Sequence, residues 1–188
     1  MHETDKDLDE FQTLLNNSRK QVGPHVKKAM EIPLKSMTAR QLSRHLQGVQ
    51  NVLFAAVTTA GTPQITPEKA IFYRARFYVP AVRTSLRVRH IMHQPAVSIS
   101  LEQTDRMTII AHGKATIIDP ENEEQQEEYR YVEELHKTYS SDVPSTWKKG
   151  CYLRIDPFQV YTWAKDPTEF AEHSIRRKRQ KESEASVE

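Results

Sequence analysis

Residues Gly61 to Ser100 read GTPQITPEKAIFYRARFYVPAVRTSLRVRHIMHQPAVSIS. Two strand-like runs, Pro63 to Phe72 and Arg76 to Val79, lead into a small-residue loop, Pro80 to Thr84. A helix then opens at Ser85 and stops before Gln94-Pro95, because proline disfavours helix at the residue before it. Arg83, Arg87 and Arg89 fall around the helix start. The unpaired N–H groups of a first turn, the positive end of its dipole and a guanidinium able to close on the same oxygens together suit a phosphate. Serine is equally an ordinary N-cap, and arginines along a helix are ordinarily a solvated face. Taken alone, these residues leave both readings open.

The strand before that loop carries Pro63 and Pro67, which cannot donate to a central ladder and so mark an open edge or a bulge. Strand alternation sets Gln64, Thr66 and Glu68 on one face and Ile65, Pro67 and Lys69 on the other, leaving open which face would meet a ligand. The run that follows the helix, Val97 to Leu101, returns to strand.

The order of these pieces, a strand with Thr-Pro, a strand ending in a small loop, a Ser-x-Arg helix and a Pro-x-Val-Ser strand, resembles the pyridoxamine 5'-phosphate oxidase-like split-barrel flavoproteins. The resemblance covers Thr38 to Ile118 and, more weakly, Cys151 to Lys165. It implies a mainly β (α+β) fold, a six-stranded antiparallel split β-barrel with peripheral helices. It also implies a flavin-dependent oxidoreductase that binds FMN, or the deazaflavin F420, and moves hydride to or from a small organic substrate. The family's flavin-side strand matches Gln64, Thr66, Pro67, Glu68 and Lys69, which would offer backbone groups to the ring. Its phosphate-binding pair matches Ser85 and Arg87, with Arg83 beside them. Where relatives open the loop with Thr or Ser, this chain has Pro80 or Ala81, so a hydroxyl donor is absent. Thr108 stands where relatives carry a polar residue near the cofactor. The family works as a homodimer with cofactor sites at the subunit interface. The alternative on the same barrel is a non-catalytic cofactor- or haem-binding module, in which His90, His93 or His112 would have to be an axial ligand.

The flanks read as support. Residues 1–35 form a helical arm, with Leu8, Phe11, Leu14 and Leu15 at helical spacing and Gly23-Pro24 and Ile32-Pro33 as breaks. Residues 36–166 form the barrel domain. Within it Thr38 caps a short helix, and Asn51 to Thr59 is nearly all apolar, as expected for a strand buried on both faces. Arg106 to Ile118 is a long strand with Gly113 at a bulge or corner. Asp119-Pro120-Glu121 reads as the opening of a helix that runs to about Tyr139, Ser140 to Lys149 as loop, and Cys151 to Ile155 with Gln159 to Ala164 as two paired strands around Asp156-Pro157. Trp163 lies in a run that resembles the family's last strand and could lie over the ligand, but it reads first as a core residue. Residues 167–188 lose periodicity and are expected to form a disordered charged tail.

Composition narrows the function classes. At 188 residues the chain can bury a core without staples. A formal charge of +2 gives no concentrated basic face for nucleic acid, and the cluster Arg176 to Lys181 is followed by glutamates. The single cysteine, Cys151, excludes an internal disulfide and a cysteine-rich metal site. An acidic N-terminus and the lack of a long apolar run point to a cytoplasmic protein without membrane contact. His90 and His93, three apart on the helix, lack an acidic or cysteine ligand to complete a zinc set. No P-loop or dinucleotide glycine fingerprint occurs.

Overall fold

A computed structural model describes residues 2–140 and 150–171. Residues 141–149 of the stretch expected as a loop, and residues 172–188 of the expected tail with its basic cluster Arg176 to Lys181, lie outside the described residues. Six strands, β1 (Val49–Val57), β2 (Pro63–Tyr73), β3 (Arg76–Val82), β4 (Ala96–Gln103), β5 (Met107–Ile118) and β6 (Gly150–Ala164), close an antiparallel barrel in the order β1-β2-β3-β6-β5-β4. The helices are α1 (Asp5–Gln21), α2 (Pro24–Ala29), α3 (Ala39–His45), α4 (Leu86–His93) and α5 (Gln126–Tyr139). Among the described residues no helix is long and apolar enough to cross a membrane. The expected six-stranded barrel with peripheral helices is the fold observed.

Alternation explains the interior. In β1 the side chains of Val52, Phe54 and Ala56 are buried, while Asn51 and Leu53 face out, so the strand is buried on one face and not on both as its apolar run implied. Phe77, Ile99, Met107 and Ile109 fill the same interior from other strands. The arm joins this core. Leu8, Phe11 and Leu15 of α1 are buried in it, and the Phe11 ring packs 5.6 Å from that of Phe72. Ser18, also on α1, accepts a hydrogen bond from the Val160 N–H at 2.9 Å, which satisfies a donor on β6. A second cluster lies outside the barrel wall, where Tyr129, Val132 and Leu135 of α5 cover Ile71, Tyr78, Ile118 and Tyr152.

Four boundaries differ from the sequence expectations. Pro80 and Ala81 belong to β3 rather than to a loop, because β6 continues alongside and pairs Tyr152 with Pro80, Cys151 with Ala81 and Gly150 with Val82. The two strands expected around Asp156-Pro157 are one strand of 15 residues. β5 supplies partners along its length and absorbs Pro157 at a register shift, where Gly113 faces Pro157 and His112 faces Gln159. That shift leaves Phe158 bulged and 53% exposed. Asp119-Pro120 does not open α5. The Asp119 carboxylate instead accepts from the Glu121 N–H at 2.8 Å, Asn122 caps a 3-10 turn, Glu123–Gln125, and α5 begins at Gln126. Finally, the packed chain runs past residue 166. Phe170 is buried, and the Arg106 guanidinium lies 5.1 Å over its ring.

Candidate functional site

The barrel wall parts between β2 and β3. The ladder joining them takes only Ile71–Tyr73 against Arg76–Tyr78. Beyond it β2 stays on β1 as far as Pro63, while β3 follows β6 to Val82. Among the described residues the stretch of β2 from Pro63 to Ala70 therefore has no ladder partner on its β3 side. A cavity of about 630 Å³ opens in this split, within the ~300–1,000 Å³ of small-molecule sites. Its floor is Phe54 and Ala56 of β1. One wall is Gln64, Thr66, Glu68 and Lys69 of β2, and the other is Pro80, Ala81 and Val82 of β3. Ser85, Leu86, Arg87 and His90 from the start of α4 close one side, and His136 of α5 adds to the lining.

The start of α4 is built as its sequence implies. Ser85 is the N-cap, and its hydroxyl accepts from the Val88 N–H at 3.3 Å. The N–H groups ahead of Val88 in this first turn have no intrahelical acceptor. Val88 and Ile91 bury into the barrel, which fixes the helix and turns Arg87 toward the split. The Arg87 guanidinium lies 5.6 Å over the Phe54 ring, ion-pairs with Glu68 and sits 3.4 Å from the Thr66 hydroxyl. Both partners of the pair are mostly withdrawn from water, at 25% and 18% side-chain exposure.

The structure thus brings together Gln64, Thr66, Glu68, Lys69, Pro80, Ala81, Ser85 and Arg87 around one cavity. It answers which face of β2 is involved, since Gln64, Thr66 and Glu68 line the split while Ile65 points away and is 67% exposed. Three candidates lie elsewhere. Pro67 lines a neighbouring groove with Asn51, Leu53 and Ser100. Thr108 sits on β5, three strands from β2 either way round, opposite Glu102 and Trp163. Arg83 turns to the other side of β3, pairing with Asp119 and with Glu121 at 2.7 Å. Burial works against the Arg83 charge, but the Glu121 hydrogen bond and the charges of Asp119 and Glu121 outweigh it and raise its pKa above the ordinary arginine value.

His136 was missed at the sequence level. It is 4% exposed and its Nδ1 is 3.1 Å from the Tyr152 hydroxyl. Burial first, and then the Lys69 charge, push its pKa below the usual histidine value, so it is neutral at physiological pH. Its signal was helical spacing, since Tyr129, Val132 and His136 repeat at i, i+3 and i+7 and all are buried. The candidate axial histidines are scattered. His90 lines the cavity, His93 is exposed with Nδ1 on the Arg89 carbonyl at 3.0 Å, and His112 has Nδ1 on the Ser98 hydroxyl at 2.7 Å. Among the described residues no group of three His, Cys, Asp or Glu side chains is placed to hold a metal ion. Trp163 is half-buried on β6, with Lys35 Nζ 5.9 Å over its ring.

A closed antiparallel barrel whose wall parts beside a capped helix defines the split β-barrel class. Comparison with solved structures agrees on the fold. The chain is similar to a conserved hypothetical protein from Mycobacterium tuberculosis, at 17% identity over 71% of this chain and 88% of that one, with a TM-score of 0.58. General stress protein 26 from Bacillus anthracis matches at 17% identity over 65% and 91% of the two chains, with a TM-score of 0.51. An FAD-binding protein from Mesorhizobium loti matches at 16% identity over 68% and 95%, with a TM-score of 0.50. At these identities the likeness shows the split barrel, the fold that the resemblance to the pyridoxamine 5'-phosphate oxidase-like proteins implied. No protein-family model and no curated protein matches the sequence.

Proposed function

We propose that the chain is a flavin-dependent oxidoreductase of the pyridoxamine 5'-phosphate oxidase-like group, binding FMN or F420 in the split between β2 and β3. The observation that carries this reading is the juxtaposition, in one cavity, of an unpaired strand edge and a Ser85-capped helix start bearing Arg87. The edge of β2 presents main-chain donors and acceptors of the kind a flavin pyrimidine ring pairs with. Ala56 gives an apolar floor for the ring system beside Phe54, whose ring the Arg87 guanidinium covers. The Ser85 hydroxyl, the first-turn N–H groups and Arg87 would hold the phosphorylated end. A structural neighbour described as an FAD-binding protein is compatible with such a ligand on this fold.

The residues present fit the group with one rearrangement. Pro80 offers no N–H and Arg83 is committed to Asp119 and Glu121, so Arg87 is the cavity's guanidinium and must leave Glu68 to close on a phosphate. Hydride chemistry belongs to the bound cofactor. The protein's part is orientation along β2, exclusion of water by the apolar floor, and positive charge from Lys69 near the ring's polar side.

Arg87→Ala is expected to weaken FMN binding about tenfold or more, since a charge-assisted bond is lost. Fluorescence titrations of FMN and F420 into the wild type and this variant measure it. Equal affinities for both proteins would remove the phosphate assignment. A second reading, a binding module without catalysis, draws on the same Glu68–Arg87 pair and on Pro80, because both reduce the donors available to a phosphate. Tight FMN binding without turnover of any reductant favours it. A Soret band in the purified protein identifies the haem form.

The cavity stays open at its mouth, where Val82 and Leu86 are 43% and 62% exposed. A homodimer in which a second copy covers this side and the outer face of β1 and β2 completes the reading.

A further inference from the structure

We propose that Glu68 is a resident anion that holds, on Arg87, the place a ligand's phosphate would take, and so sets the charge preference of the cavity. The inference rests on the cofactor reading above and adds to it a residue that opposes binding. Arg87 could reach solvent from the first turn of α4, yet its guanidinium lies inside the split, stacked over Phe54 and paired with the Glu68 carboxylate. The carboxylate reaches it from β2, so the pair ties that strand to the start of α4 at the place proposed for the phosphate.

An ion pair this far from water is costly to break on one side only, because the abandoned charge loses its partner in a poorly solvated place. A phosphate that takes over Arg87 relieves the arginine but strands Glu68 next to a second anion. Glu68 has one way out. It also borders the neighbouring groove, which Lys69 shares, and there the carboxylate can meet water and a lysine on its own strand. Glu102 on the far side of that groove limits the gain by repulsion. A phosphorylated ligand therefore binds in exchange for the internal pair, whereas an unphosphorylated ring that uses only the β2 edge leaves the pair intact. Glu68 is on this account a specificity-determining residue that lowers the preference for FMN over riboflavin.

Glu68→Gln keeps the size and the hydrogen-bond acceptor and removes the charge. Riboflavin and FMN are titrated into wild type, Glu68→Gln and the Glu68→Gln/Arg87→Ala double variant, and the melting temperature of each protein is compared in phosphate and chloride at equal ionic strength. The expected result is FMN binding about tenfold tighter in Glu68→Gln, with riboflavin unchanged and the gain absent from the double variant. A purely structural role for Glu68 would move both flavins together. If the wild type binds FMN and Glu68→Gln binds it no better, the inference is overturned while the cofactor reading stands. If no variant binds either flavin, the FMN form of the cofactor reading falls and the phosphate arm decides the inference. A larger phosphate-induced rise in melting temperature for Glu68→Gln than for wild type upholds it, and equal rises overturn it.

Discussion

Gly113 shows how one residue without a side chain sets the shape of the barrel. A Cβ built there would stand 2.7 Å from the Asp156 carbonyl oxygen and 2.8 Å from Ile155 Cγ2, so the backbones of β5 and β6 approach more closely than any other residue permits. That approach coincides with the register shift between His112 and Gly113 and with Pro157 on the facing strand. Glycine, proline and bulge are thus one feature, a corner that lets a 15-residue strand serve both β3 and β5. Gly113→Ala must push on backbone rather than on a flexible side chain, and is expected to cost about 1–3 kcal/mol. Urea denaturation checks it: a midpoint equal to that of the wild type would mean the corner yields without strain.

At the scale of the element, α1 is held by its cap as much as by its apolar face. Thr4 and Asp7 form a capping box, with the Asp7 N–H donating to the Thr4 hydroxyl at 3.2 Å and the Thr4 N–H to the Asp7 carboxylate at 2.9 Å. Arg74, from the β2–β3 turn, adds its Nε at 3.3 Å and so ties the arm to the barrel. Burial alone would raise the Asp7 pKa, but the Thr4 backbone and hydroxyl bonds, followed by Arg74, bring it below the usual aspartate value. The folded pKa lies under the unfolded one, so the stabilisation is complete above about pH 4 and is lost as pH falls through the folded value. Asp7→Asn is accordingly expected to cost about 1 kcal/mol at neutral pH, with the gap to wild type closing in acid. A gap that is constant from neutral pH down to acid would show that the charge contributes nothing. The same element marks what the sequence made legible. Leu8, Phe11 and Leu15 announced the helix by spacing, but spacing does not say what an amphipathic face packs against, so the merging of the arm with the barrel core was not readable. β2 was readable from its proline punctuation and β1, β4 and β5 from apolar runs rich in strand formers, which are local signals, but a continuous apolar run does not say that only one face of β1 is buried. The unity of β6 was not, because Asp156-Pro157 is a turn signal overridden by two neighbouring strands that supply the ladder. Ser85 and Arg87 could be placed from the helix start, while the diversion of Arg83 to Asp119 and Glu121 depends on residues 36 and 38 positions further along the chain.

At the scale of the whole molecule, the outer face of β1 and β2 is one apolar surface left uncovered among the described residues. Leu53 and Ile65 are 51% and 67% exposed there, and the strand pairing sets Leu53 opposite Pro67 and Ala55 opposite Ile65, so their side chains share one smooth face. Ser100 and Ser98 of β4, opposite Leu53 and Ala55, extend it without a charge. Exposed aliphatic side chains on a strand face favour association, since burying each is worth about 1.5–3 kcal/mol. This face backs directly onto the cavity wall, because Ile65 and Pro67 alternate along β2 with Gln64, Thr66 and Glu68. In the proposed homodimer, disturbing the face therefore disturbs the site. Ile65→Glu, which places a charge at the centre of the face and no new group in the cavity, is expected to convert a dimer to a monomer in sedimentation velocity and to weaken FMN binding at the same time. A wild type that sediments as a monomer would remove the homodimer. An Ile65→Glu protein that stays dimeric would move the interface off this face, and a monomeric variant that binds FMN as tightly as wild type would show that a single subunit completes the site.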